Sequence, residues 1–166
     1  MPDCGSCQNC QVACPTGAFV RPGFIDARRC VSYLTIENKE GIPAELRSKI
    51  GNRLFGCDSC QACCPFNQGR KEKQVVRIEA FKSENGVGES LDLKEILSIQ
   101  TDEAFLRRFA GTPLMRAKKI GLLRNACIVA GNSGDQTFIP YLEALIERED
   151  DPMLKEHAEW GISELN

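Results

Sequence analysis

The sequence predicts an α+β fold: a small cysteine-rich module with short strands, followed by an all-α region. Three observations carry that prediction. Nine of the ten cysteines fall within the first 64 of 166 residues. Short apolar segments among them flank turn-forming residues, and from about residue 91 apolar side chains recur at helical spacing. The chain is long enough to bury a core as one domain or two small ones. The expected division is a cysteine module over 1–68, a charged, glycine-containing connecting loop over 69–90, and a helical domain over 91–166.

The cysteine module is read first from its spacing. One run is Cys4-x2-Cys7-x2-Cys10-x3-Cys14-Pro15 and the other is Cys57-x2-Cys60-x3-Cys64-Pro65, with Cys30 between them. Three cysteines two residues apart place three thiolates round one tight loop, where they can cap three irons of a cubane. In two-cluster ferredoxins the cysteine followed by proline ligates the other cluster. The module is therefore expected to be ferredoxin-like and to hold two 4Fe-4S clusters. Cys4, Cys7, Cys10 and Cys64 form the first ligand set; Cys14, Cys30, Cys57 and Cys60 form the second. Zinc knuckles use paired C-x2-C units and match this spacing poorly. Disulfides are hard to form among cysteines so crowded along one loop. Cys63 offers a competing spacing after Cys60, but the proline after Cys64 mirrors Cys14-Pro15 and favours Cys64. Cys127, in an apolar stretch, is expected to be a small buried hydrophobe.

Within the module, Arg21-Pro22-Gly23 predicts a hairpin turn between strands at 18–20 and 24–25. Residues 31–37 and 43–50 read as short helices, the second with proline at its first turn. Because clusters rather than apolar burial should hold this part together, the apo-protein is expected to fold poorly.

In the helical domain, Leu93, Ile96 and Leu97, then Phe105, Leu106 and Phe109, keep helical spacing. Thr112-Pro113 predicts the start of one long helix running to residue 130 and ended by Gly131-Asn132-Ser133-Gly134. A further helix is expected over 137–147, and Asp150-Asp151-Pro152 opens a last one ending near Leu165. The pattern is HEAT-like, with only about two helix pairs where solenoids usually need three or more. Trp160, Phe138 and Tyr141 sit at plausible core positions. His157, the only histidine, has no nucleophile nearby and is expected to be a structural or surface residue. No catalytic residue is assigned to this chain.

The net charge of −2 is unevenly spread. Residues 104–134 carry six basic side chains (Arg107, Arg108, Arg116, Lys118, Lys119, Arg124) and no acidic one, while 135–166 carry nine acids against two bases. The basic stretch reads either as a polyanion-facing surface or as an ordinary solvated helix face. No apolar run approaches the roughly 18 residues of a membrane-spanning helix, so no membrane partner is expected. The cysteine motif begins within three residues of Met1, leaving no room for a signal peptide. Thiolate clusters need a reducing compartment, so a cytoplasmic location is expected.

Taken together, these motifs resemble the epoxyqueuosine reductase family. The resemblance rests on Cys4-Gly5-Ser6-Cys7 through Cys14-Pro15-Thr16-Gly17-Ala18, on Asp26-Ala27-Arg28-Arg29-Cys30 with Ser32-Tyr33-Leu34-Thr35, and on Ile50-Gly51-Asn52-Arg53 with Gly56-Cys57-Asp58-Ser59-Cys60 and Cys64-Pro65. Gly111-Thr112-Pro113, Arg124-Asn125-Ala126 and Glu156-His157-Ala158-Glu159-Trp160 extend it. It implies an oxidoreductase whose two 4Fe-4S clusters pass electrons from a low-potential donor to cobalamin, which reduces epoxyqueuosine to queuosine in tRNA. It also implies that Ser32, Cys57 and Asp58 lie near the corrin. The tRNA carrying epoxyqueuosine would meet the helical repeats through Arg107, Arg108, Arg116, Lys119 and Arg124. The family's N-terminal domain, which supplies most cobalamin contacts and an acidic proton donor, has no counterpart in this sequence. The expectation is therefore part of an enzyme: a fragment, or a subunit working with a separate cobalamin-binding chain. The alternatives are a stand-alone two-cluster ferredoxin-like carrier with a helical docking tail, or an interaction module whose clusters are purely structural.

Overall fold

A computed structural model of the chain describes residues 4–68, 78–79, 82, 86–88 and 90–166. The expected 69–90 loop lies largely outside the described residues.

The cysteine loops form little regular structure. Helix α1 (Asn9–Val12) is a single turn, and β1 (Phe19–Arg21) pairs antiparallel with β2 (Phe24–Ile25) across the predicted hairpin, Phe19 opposite Ile25. A 3-10 turn over Ala27–Arg29 follows, its start fixed by the Asp26 carboxylate accepting the Arg28 N–H. Helices α2 (Val31–Ile36) and α3 (Ala44–Ile50) come next, then the short α4 (Ser59–Ala62) and α5 (Pro65–Gln68). None of α1, α4 and α5 contains a buried residue. The buried apolar side chains before residue 68 lie mainly in the insert between the cysteine runs. Val31, Leu34, Ile42, Leu46 and Ile50 pack with Ile128 and Trp160 of the helical region.

The helical region comprises α6 (Leu93–Leu97), α7 (Asp102–Phe109), α8 (Lys118–Asn132), α9 (Ile139–Arg148) and α10 (Pro152–Leu165). Side-chain oxygens start three of them, as N-cap chemistry requires. Asp92 accepts from Lys94 N–H, Thr101 from Ala104 N–H, and Asp151 from Met153 and Leu154 N–H. Phe105 and Phe109, four residues apart on α7, meet with ring centroids 5.3 Å apart. They join Leu97, Leu122, Leu142, Leu145 and Leu154 in one core, each contributing about 1.5–3 kcal/mol on burial. Helix α8 is its axis: residues from Gly121 to Ile128 are buried, because α6 and α10, and on the cysteine-module side α2 and α3, pack against it. No helix among the described residues is long and apolar enough to cross a membrane.

Two expectations about α8 are corrected. The segment after Thr112 is not one continuous helix: Pro113–Arg116 is a 3-10 turn, and α8 opens on Lys118 at φ 60. The Thr112 hydroxyl donates back to the Phe109 carbonyl at 2.7 Å instead of capping the new helix. Gly131 does not end α8 but lies inside it, at the crossing with α10. A Cβ there would stand 2.9 Å from Gly161 Cα, and one on Gly161 would stand 2.9 Å from the Cys127 carbonyl oxygen. The two glycines are needed for close backbone approach, and the helix runs on to Asn132.

His157 is a structural residue. Fully buried, its Nε2 accepts the Ile42 N–H at 3.0 Å while Nδ1 donates to the Met153 carbonyl at 2.7 Å. Burial first, and the nearby Arg47 and Arg124 charges, hold its pKa below the ordinary histidine value despite the Met153 bond and the Glu156 charge. It therefore ties the loop before α3 to α10 as a neutral ring. Beside it, Arg47 donates to Glu156 at 2.7 Å. Trp160, Phe138 and Tyr141 are partly buried against the two cores.

Candidate iron–sulfur and corrin-facing site

The chain folds the two cysteine runs against each other so that α1 lies beside α4. Two hollows result. The first, about 190 Å³, is lined by Cys4, Cys7, Cys10 and Cys64 with Asn9, Pro65 and Phe66. The second, narrower at about 30 Å³, is lined by Cys14, Cys30, Cys57 and Cys60, with Pro15, Ser59 and apolar neighbours. Each hollow thus collects four thiols drawn from both halves of the motif. Among the described residues no three of His, Cys, Asp and Glu converge closely enough for a single metal ion. A cubane asks for a wider spacing, since its four thiolates bind four different irons.

Cys63 lines neither hollow; its thiol donates to the Cys60 carbonyl at 3.4 Å. Cys127 is fully buried in the helical core, and burial pushes its thiol up to about 12, which leaves it an inert apolar filler.

Backbone geometry shapes the cysteine loops. The Cys7 N–H donates to the Cys4 carbonyl at 2.9 Å, closing the first ligand turn. Gly17, at φ 60, turns the chain after Cys14 so that the Ala18 N–H donates to the Cys14 sulfur at 3.2 Å. Burial raises the Cys14 thiol, but donors at Ala18, Thr16 and Gly17 together outweigh it and hold the pKa below its ordinary value. Cys60 moves the other way: burial first, then the neighbouring Cys57, Cys30 and Cys10 sulfurs, raise it. Arg53 donates to the Ser59 hydroxyl at 3.2 Å, and Ser59 Oγ lies 3.4 Å from the Cys57 sulfur.

A larger cavity of about 720 Å³ opens on the other side of Cys57. Ser32, Cys57 and Asp58 all line it, together with Asn52, Arg53, Leu54, Phe55 and the apolar Leu91, Leu114 and Val129. Spacing alone could not have found Leu91, Leu114 and Val129, because the helical region contributes that wall from far along the chain.

The basic residues divide. Arg107 and Arg108 on α7 are exposed. Arg116 is exposed and paired with Glu37. Lys119 is largely covered and bonds the Gln100 carbonyl at 3.0 Å and Glu149 at 3.3 Å. Arg124 is corrected outright: it is fully buried, and its guanidinium donates to the carbonyls of Leu34, Asn38 and Glu40 at 2.6–2.9 Å. A side chain spent on three internal carbonyls has no surface to offer a phosphate.

The chain is similar to known proteins along nearly its whole length. Residues 3–67 match the family described as a 4Fe-4S double cluster binding domain. The chain is 45% identical over 168 residues to the epoxyqueuosine reductase of Pseudomonas aeruginosa, covering 96% of this chain and 43% of that protein. It is 39% identical to the Escherichia coli K12 epoxyqueuosine reductase, covering 97% and 41%. Among solved structures, the epoxyqueuosine reductase of Streptococcus thermophilus superimposes with TM-score 0.81 at 30% identity, over 98% of this chain and 41% of that one. An epoxyqueuosine reductase solved with a tRNA-Tyr epoxyqueuosine-modified stem loop gives TM-score 0.73 at 32% identity, over 98% and 50%. The chain spans about two-fifths of the length of the curated relatives it matches. Along nearly its whole length the chain is homologous to a part of the epoxyqueuosine reductases, and its residues 3–67 match the 4Fe-4S double cluster binding domain.

Proposed function

We propose that this chain is the electron-delivering and tRNA-facing part of an epoxyqueuosine reductase, holding two 4Fe-4S clusters beside a cobalamin site. The observation that carries the reading is the position of Cys57, which lines both the second thiol hollow and the 720 Å³ cavity. An electron arriving on the second cluster would be one side chain from whatever fills that cavity. Cys4 and Cys7 are exposed, so the first cluster would take electrons from a low-potential donor. The two clusters would be neighbours, since α1 and α4, which carry cysteines of the two sets, pack against each other.

The cavity fits a corrin in its chemistry: a broad apolar wall, with polar groups from Ser32, Asn52, Arg53 and Asp58 along one edge. Cobalamin bound there would supply the reducing centre for the epoxide, while this chain's residues orient it, shield it from water and feed it electrons. The tRNA would lie across Arg107, Arg108 and Arg116, whose charges neutralise phosphates.

The test is a titration of hydroxocobalamin into protein reconstituted with iron and sulfide, followed by absorbance. Saturable binding is expected, and it should be lost when Leu54→Trp fills the cavity. Binding that is absent from the parent, or unchanged in the variant, contradicts the reading.

A further inference from the structure

The polar groups buried between α8 and the cysteine module are more than packing. We infer that Thr35, held in place by Asn125 and Arg124, is a positioning residue for Cys57 and therefore for the second cluster. The inference rests on the ligand set proposed above.

The geometry runs in three steps. Arg124 and Asn125 are both fully buried on α8. Arg124 Nε and one terminal nitrogen donate to Asn125 Oδ1 at 3.2 and 2.9 Å, which fixes the amide's orientation. Asn125 Nδ2 then donates to two carbonyls at once, Thr35 at 2.8 Å and Leu54 at 3.0 Å. Those carbonyls belong to the two segments that carry second-cluster cysteines: α2 begins just after Cys30, and Leu54 lies three residues before Cys57. One amide therefore sets the distance between them.

Thr35 completes the connection. Its buried hydroxyl donates to the Val31 carbonyl at 2.8 Å and accepts the Gly56 N–H at 2.9 Å. Gly56 sits at φ 81 immediately before Cys57. A glycine in that region has no side chain to restrict it, so its backbone is held by what its N–H meets. Remove the hydroxyl and the peptide preceding the ligand is free to rotate, moving the Cys57 sulfur and the hydrogen bonds that set cluster potential.

The experiment is an EPR-monitored redox titration of the reconstituted protein. It compares the parent with Thr35→Val, which keeps volume but loses the hydroxyl, with Thr35→Ser, which restores it, and with Asn125→Ala. The expected result is that Thr35→Val shifts the signal and midpoint of one cluster and leaves the other unchanged, and that Thr35→Ser returns both to parent values. Asn125→Ala should disturb the same cluster. Identical titrations for parent and Thr35→Val overturn the inference. So does an equal shift of both clusters, which would mark the hydroxyl as a general stabiliser. A parent with fewer than two clusters overturns the ligand reading, and this inference with it.

Discussion

The cysteine loops and the helical region are held together by opposite means. From α6 to α10, Leu97, Phe109, Leu122, Leu142, Leu145 and Leu154 are all fully buried, so removal of apolar surface from water drives this part of the fold. In the cysteine loops, Val12, Val20, Phe24, Ile25 and Phe66 are exposed, and α1, α4 and α5 bury nothing. On the proposed ligand sets, bonds from thiolate to iron would hold those loops. The insert between them, α2 and α3, belongs with the helices by its packing, fastened by Arg124, Asn125 and His157. The cysteine loops are thus presented from a scaffold with an apolar core of its own.

The largest expected effect breaks the molecule along that line. Removing iron with a chelator under reducing conditions should abolish hydrogen-exchange protection over residues 4–30 and 57–68, while α8 and α10 keep theirs. Loss of protection across both regions together would show that one cooperative unit had been mistaken for two.

The converse substitution attacks the scaffold. Gly161→Ala places a Cβ against the Cys127 carbonyl. It should cost about 1–3 kcal/mol in denaturant unfolding, with iron content per folded chain unchanged.

A smaller effect comes from His157. Its pKa is lowered by burial below the ordinary 6.5, so the unfolded chain binds a proton that the folded chain refuses. Stability is therefore full above the unfolded value and falls as pH drops from about 6.5 toward the folded value. The slope should vanish in His157→Gln, read from unfolding midpoints at several pH values; a slope retained in that variant assigns it to other groups.

The smallest is electrostatic. Reversing Arg107 and Arg108 to Glu should weaken binding of a tRNA anticodon stem-loop and reduce the salt dependence of its binding constant. Lys119→Gln should do neither beyond its effect on stability, because that ammonium is already occupied by Gln100 and Glu149.

Local chemistry was legible in the sequence and tertiary placement was not. The cysteine spacing suggested two crossed sets of four before any fold was known, and each set lines one hollow. The hairpin at Arg21-Pro22-Gly23 and the cap at Asp151 depend only on neighbours and were equally legible. Arg124 was misjudged because a charge in a basic run looks like a surface feature. Only the docking of α2 and the loop after it onto α8 turns that charge inward. Gly131 was misjudged for a similar reason: a glycine near a helix end reads as a terminator unless the second helix crossing it is known.

The most direct test of the account is the iron and acid-labile sulfide content of Cys64→Ala beside Cys63→Ala, each reconstituted anaerobically with the parent. About eight irons are expected in the parent, about four in Cys64→Ala, and about eight in Cys63→Ala. Equal losses in both variants, or an intact Cys64→Ala, would contradict the crossed ligand sets on which the electron path depends.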